Sequence, residues 1–320
     1  MSDLPAVFLD LASVDRGDLD LSRLQGVCGR WVLHTRTPVG LTAGRLAGAA
    51  VVVTNKVVID QPLLRAAPDL RLICVAATGT NNVDLAAARE RGIAVCNVTG
   101  YATASVVQHV YALMLSLTAR LAEHVAAARD GRWAASEQFC VLDFPFRELT
   151  GKTLGVVGYG ELGRGVARVA EALGMRVLVA QRPGGPPAPG RVALAELLAA
   201  SDVVTLHVPL AENTRGLIGR RELASMRPDA LLINTARGGL VDEAALADAL
   251  RAGRLGGAGV DVLATEPPRD GNPLLDPSVP NLIVTPHVAW ASRESRQRLL
   301  DEVAENIRAF VAGESRNRVA

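Results

Sequence analysis

Short apolar, β-branched runs alternate along the chain with longer Ala-, Leu- and Arg-rich stretches, from one end to the other. In the first third, AVFLDL (6–11), WVLHTR (31–36), VVVTN (51–55), RLICVAAT (71–78) and IAVCNV (93–98) predict strands. Helical patterns lie between them, such as the one opening at Asp84. The runs are continuously apolar instead of alternating, as for strands covered on both faces, so they predict βαβ units and an α/β fold with parallel sheets. Residues 101–128 carry apolar side chains at three-to-four spacing and predict one long helix. A second series opens at 153 with TLGVVGYG and a helix to Gly174. It continues through RVLVAQ (176–181), DVVTLHVP (202–209), ALLINTAR (230–237), GGAGVDVL (256–263) and LIVTPH (282–287), then a helix from Ser292 to near Val311.

Length and composition narrow the class. A chain of 320 residues is about twice the usual domain length, so two domains are the starting expectation. Hydrophobic residues make up 49%, but only 5 Phe, 3 Trp and 3 Tyr are among them, so Ala, Val and Leu must fill the cores. Lys plus Arg number 34 and Asp plus Glu 33, which argues against a nucleic-acid or anionic-membrane partner and against intrinsic disorder. The four cysteines (Cys28, Cys74, Cys96, Cys140) form no metal-ligating or CxxC cluster and read as reduced thiols. No signal peptide and no apolar stretch of spanning length is visible, so the expectation is a soluble, cytoplasmic protein without a metal. Two local textures stand out. RPGGPPAPGR (182–191) reads as a loop inside the second series. Residues 129–150 concentrate Trp133, Phe139, Phe144 and Phe146, as in an arm that packs on a partner subunit.

The strongest local motif is Gly158-Tyr-Gly160-Glu-Leu-Gly163, directly after a strand pattern and directly before a helix pattern. In such a loop the first glycine allows the turn, the second lets the backbone approach a pyrophosphate, and the third permits close helix–strand packing. Helix-end amides then face the phosphates. At the end of the next strand, where an NAD enzyme carries a carboxylate for the ribose 2′-hydroxyl, stand Gln181 and Arg182. Gln does not repel a 2′-phosphate and Arg182 can pair with one, so NADP(H) is favoured and NAD(H) stays open. Further on, Arg237, Glu266 and His287 stand at or just beyond three successive strand ends, the edge that faces the ligand crevice in an open α/β sheet. An arginine can clamp a carboxylate, a histidine can move a proton near neutral pH, and a carboxylate beside it can orient it.

ATGTNNVD (77–84), GKTLGVVGYGELG (151–163), LHVPLAENTRGLI (206–218), INTARGGLVDEAAL (233–246), GAGVDVLATEPP (257–268) and TPHVAW (285–290) together resemble the D-isomer-specific 2-hydroxyacid dehydrogenase family. HVAW is most similar to its glycerate dehydrogenase/hydroxypyruvate reductase branch. The resemblance implies two Rossmann-like, doubly wound parallel-sheet domains around a cleft. Residues 1–100 and 289–320 would form the substrate domain and 101–288 the dinucleotide-binding domain. It implies Arg237 as carboxylate and carbonyl clamp, His287 as general acid/base and Glu266 as its partner, with Thr78 and Gly79 amides on the substrate carboxylate and Trp290 walling the pocket. On the same resemblance, Glu161, Leu162, Thr235, Ala236 and Ala289 are expected to join the glycines in holding the cofactor. The resemblance further implies that Thr103 and Asp261 line the nicotinamide, although a helix cap or strand-end turn also accounts for either, and that His207, Val208, Pro209 and Thr214 line the adenosine side. Gln108 stands where the family commonly has Glu.

The activity expected is hydride transfer between a nicotinamide and a small 2-oxo or D-2-hydroxy acid, with hydroxypyruvate or glyoxylate as substrate and a homodimer as the assembly. Two alternatives stay open: an oxidoreductase of the same fold acting on 2-ketogluconate, lactate or phosphite, and a dinucleotide-sensing regulator.

Overall fold

The structure is a computed structural model that describes residues 2–320. The chain folds into two units, one built from the chain through Ala102 together with Trp290–Ala320, the other from Thr103–Ala289.

The first unit holds strands β1 (Ser2–Phe8), β2 (Cys28–Leu33), β3 (Val51–Thr54), β4 (Leu72–Val75) and β5 (Ala94–Cys96), all parallel, in the order β2-β1-β3-β4-β5. Every residue of β3, β4 and β5 is buried, which is why these runs are apolar without alternation. The pleat sends Phe8, Val51, Val53, Leu72 and Cys74 to one face, where they meet Leu299, Val303 and Ile307 of the helix Arg293–Val311. Val7, Val52, Ile73 and Val75 go to the other, against Leu64 and Ala88. Strand β1 stops at Phe8, short of the AVFLDL run. The reason is Asp10, whose buried carboxylate accepts from the amides of Asn55 (2.9 Å) and Lys56 (2.7 Å) and so joins the end of β1 to the end of β3 by a side chain.

The second unit holds β6 (Thr153–Val157), β7 (Arg176–Val179), β8 (Val203–Leu206), β9 (Leu231–Asn234), β10 (Gly257–Val260) and β11 (Leu282–Val284), again all parallel. Their order is β11-β10-β9-β8-β6-β7, so the winding reverses between β6 and β8 and leaves a switch point there. The single helix expected over 101–128 is two, Thr103–Thr118 and Leu121–Arg129, separated at Arg120, which adopts a left-handed conformation (φ 51°) that a continuous helix cannot contain. Residues 130–152 carry no helix or strand, and their aromatic groups lie largely open, with Phe139 89% and Phe146 61% exposed. No helix among the described residues is long and apolar enough to cross a membrane.

Helix Thr103–Thr118 is set close to its neighbours by two glycines. A Cβ on Gly165 would stand 2.8 Å from Val107, and one on Gly259 of β10 would stand 2.9 Å from the Cβ of Leu113. Tyr111 completes the seam by donating its hydroxyl to the carbonyl of Val166 (2.6 Å), and burial pushes its phenol pKa up. Gly259→Val forces this seam apart, and overpacking of that kind costs about 1–3 kcal/mol. Urea unfolding should show a lower midpoint with an unchanged slope; an unchanged midpoint would mean the helix does not depend on that approach.

Candidate active site

The glycine loop lies at the switch point. Gly158 has φ +97°, and a Cβ there would stand 2.6 Å from the carbonyl carbon and oxygen of His207, just past β8. The loops leaving β6 and β8 therefore touch backbone to backbone. Gly163 packs as closely within the turn, where a Cβ would lie 2.1 Å from the Gly158 oxygen, whereas Gly160 faces open space. The helix Glu161–Ala172 starts at Gly160 with no side chain capping its first amides. Glu161 accepts the hydroxyl of Thr103 (2.5 Å), which ties this loop to helix Thr103–Thr118, and Leu162 is half-buried behind it.

Two buried polar atoms nearby have no hydrogen-bond partner: Nδ1 of His207 past β8 and Oγ1 of Thr235 past β9. Buried polar groups are normally satisfied, so orphans on adjacent strand ends beside an uncapped helix start fit a bound dinucleotide. The other ring nitrogen of His207 pairs with Thr205 Oγ1 (2.9 Å). Burial lowers the His207 pKa to about 4, so the ring stays neutral.

At the adenosine side, Gln181 turns inward on its own loop. Its amide nitrogen donates to the carbonyls of Ala188 and Arg191 and its oxygen accepts from Ala188 N (3.0 Å), which folds the 182–191 segment. Arg182, the next residue, is exposed. Val208 is buried, Pro209 exposed, and Thr214 braces its own turn through the Pro209 carbonyl (2.7 Å) and the Ala211 amide (2.8 Å).

Parallel pairing places the C-terminal ends of β9, β10 and β11 side by side, and each carries one chemical group. At the end of β9, Asn234 shapes the turn by accepting from Ala236 N (3.1 Å) and donating to the Arg237 carbonyl (2.9 Å), and Arg237 itself is exposed. The next residue, Gly238, lies against the loop past β10, where a Cβ would be 1.9 Å from the carbonyl carbon of Leu263. That loop carries Glu266, which is held by the Leu263 amide (2.8 Å) and whose second oxygen is 2.6 Å from His287 Nδ1. The carboxylate at Nδ1 orients the imidazole ring. His287 itself has φ +55°, a conformation that costs a non-glycine residue about 1 kcal/mol or more. Its amide is secured by the Asp261 carbonyl (2.8 Å).

Asp261, expected to line the nicotinamide, is 1% exposed and engages the 285–289 loop. Its Oδ1 accepts from Thr285 Oγ1 (2.5 Å) and Val288 N (2.9 Å), and its Oδ2 from Ala289 N (2.9 Å). Thr78, Gly79 and Trp290 belong to the other unit. There Thr78 donates its hydroxyl to the Val98 carbonyl (2.8 Å), and Trp290 meets Tyr101 edge-on at 6.4 Å.

Several residues that shape these loops escape a reading of the sequence. Glu243, which the sequence presents as an ordinary acid in a helix first turn, accepts from Ala264 N and from the Asn272 amide, both at 2.7 Å, and so anchors the Glu266 loop. Ser105 and His109 sit within an apolar helix pattern with no motif to mark them, yet reach Ala289 O (2.7 Å) and Thr285 Oγ1 (2.9 Å).

A dinucleotide loop at a switch point, with an arginine and a carboxylate-paired histidine on neighbouring strand ends, defines a nicotinamide-dependent oxidoreductase. Residues 111–289 match the family described as D-isomer specific 2-hydroxyacid dehydrogenase, NAD binding domain. The chain is 51% identical to the glycerate dehydrogenase of Methylorubrum extorquens over 86% of its own length and 87% of that protein's. It is 37% identical to the hydroxypyruvate reductase of Blautia hydrogenotrophica over 98% of both. Among solved structures, the TT0316 protein of Thermus thermophilus superimposes with a TM-score of 0.86 at 36% identity, covering 99% of this chain and 100% of that one. The chain belongs to the D-isomer-specific 2-hydroxyacid dehydrogenase family and is an enzyme of that class, which takes precedence over the regulator reading.

The neutral His207 makes a measurable prediction. Between pH 6.5 and about 4 the unfolded chain's histidine takes up a proton that the folded one does not, so stability falls as pH falls through that window. His207→Gln should flatten the thermal-stability profile there, by about 3 kcal/mol at most across the window. A profile parallel to wild type would show that the ring titrates normally.

Proposed function

We propose that the protein reduces hydroxypyruvate and glyoxylate, and in reverse oxidises D-glycerate, with NADP(H) as the preferred carrier. The observation that carries the reading is the 2.6 Å pairing of His287 with Glu266, one strand end away from an exposed Arg237, in a chain so similar to a glycerate dehydrogenase. When bound, the nicotinamide supplies the hydride to C2 of the 2-oxo acid. Arg237 grips the substrate carboxylate and carbonyl with its fork of donors. The main-chain amides of Thr78 and Gly79 are assigned to the same carboxylate, and Trp290 to the pocket wall. His287 gives the proton on Nε2 to the carbonyl oxygen as that oxygen gains charge, while Glu266 holds Nδ1 and balances the ring's charge.

The orphaned His207 and Thr235 atoms and the uncapped Gly160 turn are assigned to the dinucleotide, with Ala236 and Ala289 beside them. Support for the phosphorylated carrier comes from the end of β7, where Gln181 folds its loop and leaves exposed Arg182 as the charged side chain beside it. A homodimer is assigned through the arm 130–152, whose Phe139 and Leu142 are exposed side chains that a partner subunit would cover. Cys28, Cys74 and Cys96 are buried free thiols, in keeping with a reducing cytoplasm.

The test is a panel of hydroxypyruvate, glyoxylate, pyruvate and 2-ketogluconate, each with NADPH and NADH. Hydroxypyruvate or glyoxylate should give the highest kcat/KM; a preference for 2-ketogluconate or pyruvate would refute the substrate reading. His287→Asn should lower kcat about 10²–10⁴-fold, and Arg237→Lys should raise the substrate KM sharply because an ammonium cannot reproduce the fork. Unchanged values would remove those roles. Arg182→Ala should raise the KM for NADPH about tenfold or more, the worth of a charged hydrogen bond, while NADH changes little. Equal effects on both carriers would refute the 2′-phosphate contact.

A further inference from the structure

We propose that Ser105 and His109 are positioning residues for His287, acting together as a two-point clamp on the 285–289 loop. The inference rests on the reading of His287 as the acid/base. Four residues apart on helix Thr103–Thr118, the two side chains share one face. Ser105 donates to the carbonyl of Ala289 (2.7 Å), two residues after His287, and His109 meets the hydroxyl of Thr285 (2.9 Å), two residues before it. The clamp therefore brackets the histidine.

Proton counting fixes the direction of the second contact. Thr285 Oγ1 donates its single proton to Asp261 Oδ1 (2.5 Å), so it can only accept from His109, and the His109 ring must carry hydrogen on Nε2. The same nitrogen lies 3.5 Å from Asp261 Oδ1. Asp261 in turn takes the amides of Val288 and Ala289 on its carboxylate and that of His287 on its carbonyl. Residues 285, 287, 288 and 289 are thus each tied to Asp261, while the helix grips the loop's two ends.

The loop needs this support because His287 is held at φ +55°, which the backbone would otherwise leave. Gly259 allows it, since the helix carrying His109 lies on β10 where a side chain would stand in its way. Release of the clamp lets His287 drift from Glu266, and a displacement of about 1 Å at a reacting group can cost about 10²-fold in rate.

Ser105→Ala, His109→Leu and their combination should be made in the wild-type enzyme and in His287→Asn, and assayed with hydroxypyruvate and NADPH alongside thermal unfolding. In the wild-type background the combined variant should lose about ten- to a hundredfold in kcat, with both KM values within about twofold. His109→Gln, which keeps an N–H donor, should recover most of the loss. In the His287→Asn background the same substitutions should change kcat less than about twofold, because there is no imidazole left to position. An unchanged kcat in the wild-type background, or an equal loss in both, would overturn the proposal. Ser105→Ala deletes one oxygen atom and serves as the test if the combined variant does not fold. If His287→Asn alone retained wild-type turnover, the role of His287 would fail instead, an outcome separate from failure of the clamp.

Discussion

The buried carboxylate of Asp261 is the interaction on which the chemical end of the second unit depends. A charge removed from water must be met by donors or leave the fold, and here the donors are the hydroxyl of Thr285 and the amides of Val288 and Ala289. A demand for solvation is thereby turned into a geometric constraint, because the donors that meet the carboxylate lie on the loop past β11 and hold it over the end of β10. His287 rides on that loop. Its unfavourable backbone conformation follows from donors fixed on either side of it.

The parallel sheet does the coarser work. Hydrogen-bond register aligns the ends of β9, β10 and β11 without reference to chemistry, and the loops leaving them carry Arg237, Glu266 and His287. Precision comes from contacts that side-chain types alone do not announce. Asn234 closes the turn before Arg237, Glu243 reaches from a neighbouring helix to the loop bearing Glu266, and glycines set the separations.

Much of this was legible in the sequence, for identifiable reasons. Strands buried on both faces must be largely apolar, so the runs of β3, β4 and β5 and of β6, β8, β9 and β10 declared two covered parallel sheets. Gly158, Gly160 and Gly163 are separable from ordinary turn glycines by the strand before and helix after them. Arg237, Glu266 and His287 declared themselves by falling at successive strand ends. What escaped depends on tertiary neighbours. The break at Arg120 interrupts an apolar period that reads as continuous. The donors that Asp261 gathers from residues 285, 288 and 289, and the contacts by which Gln181 folds its own loop, have no mark in the sequence because they lie beyond the motif in which each residue stands. Ser105 and His109 carry no local mark, since their partners lie about 180 residues further along the chain.

The seam at Gly238 has a consequence for how such an enzyme can diversify. With only backbone between them, the arginine-bearing and glutamate-bearing loops sit at a separation that any side chain at Gly238 would force wider, and a displaced Glu266 would lose its contact with His287. A change of substrate preference is therefore more easily made in the side chains around these two loops than at the seam, where a side chain would have to displace the Leu263 backbone.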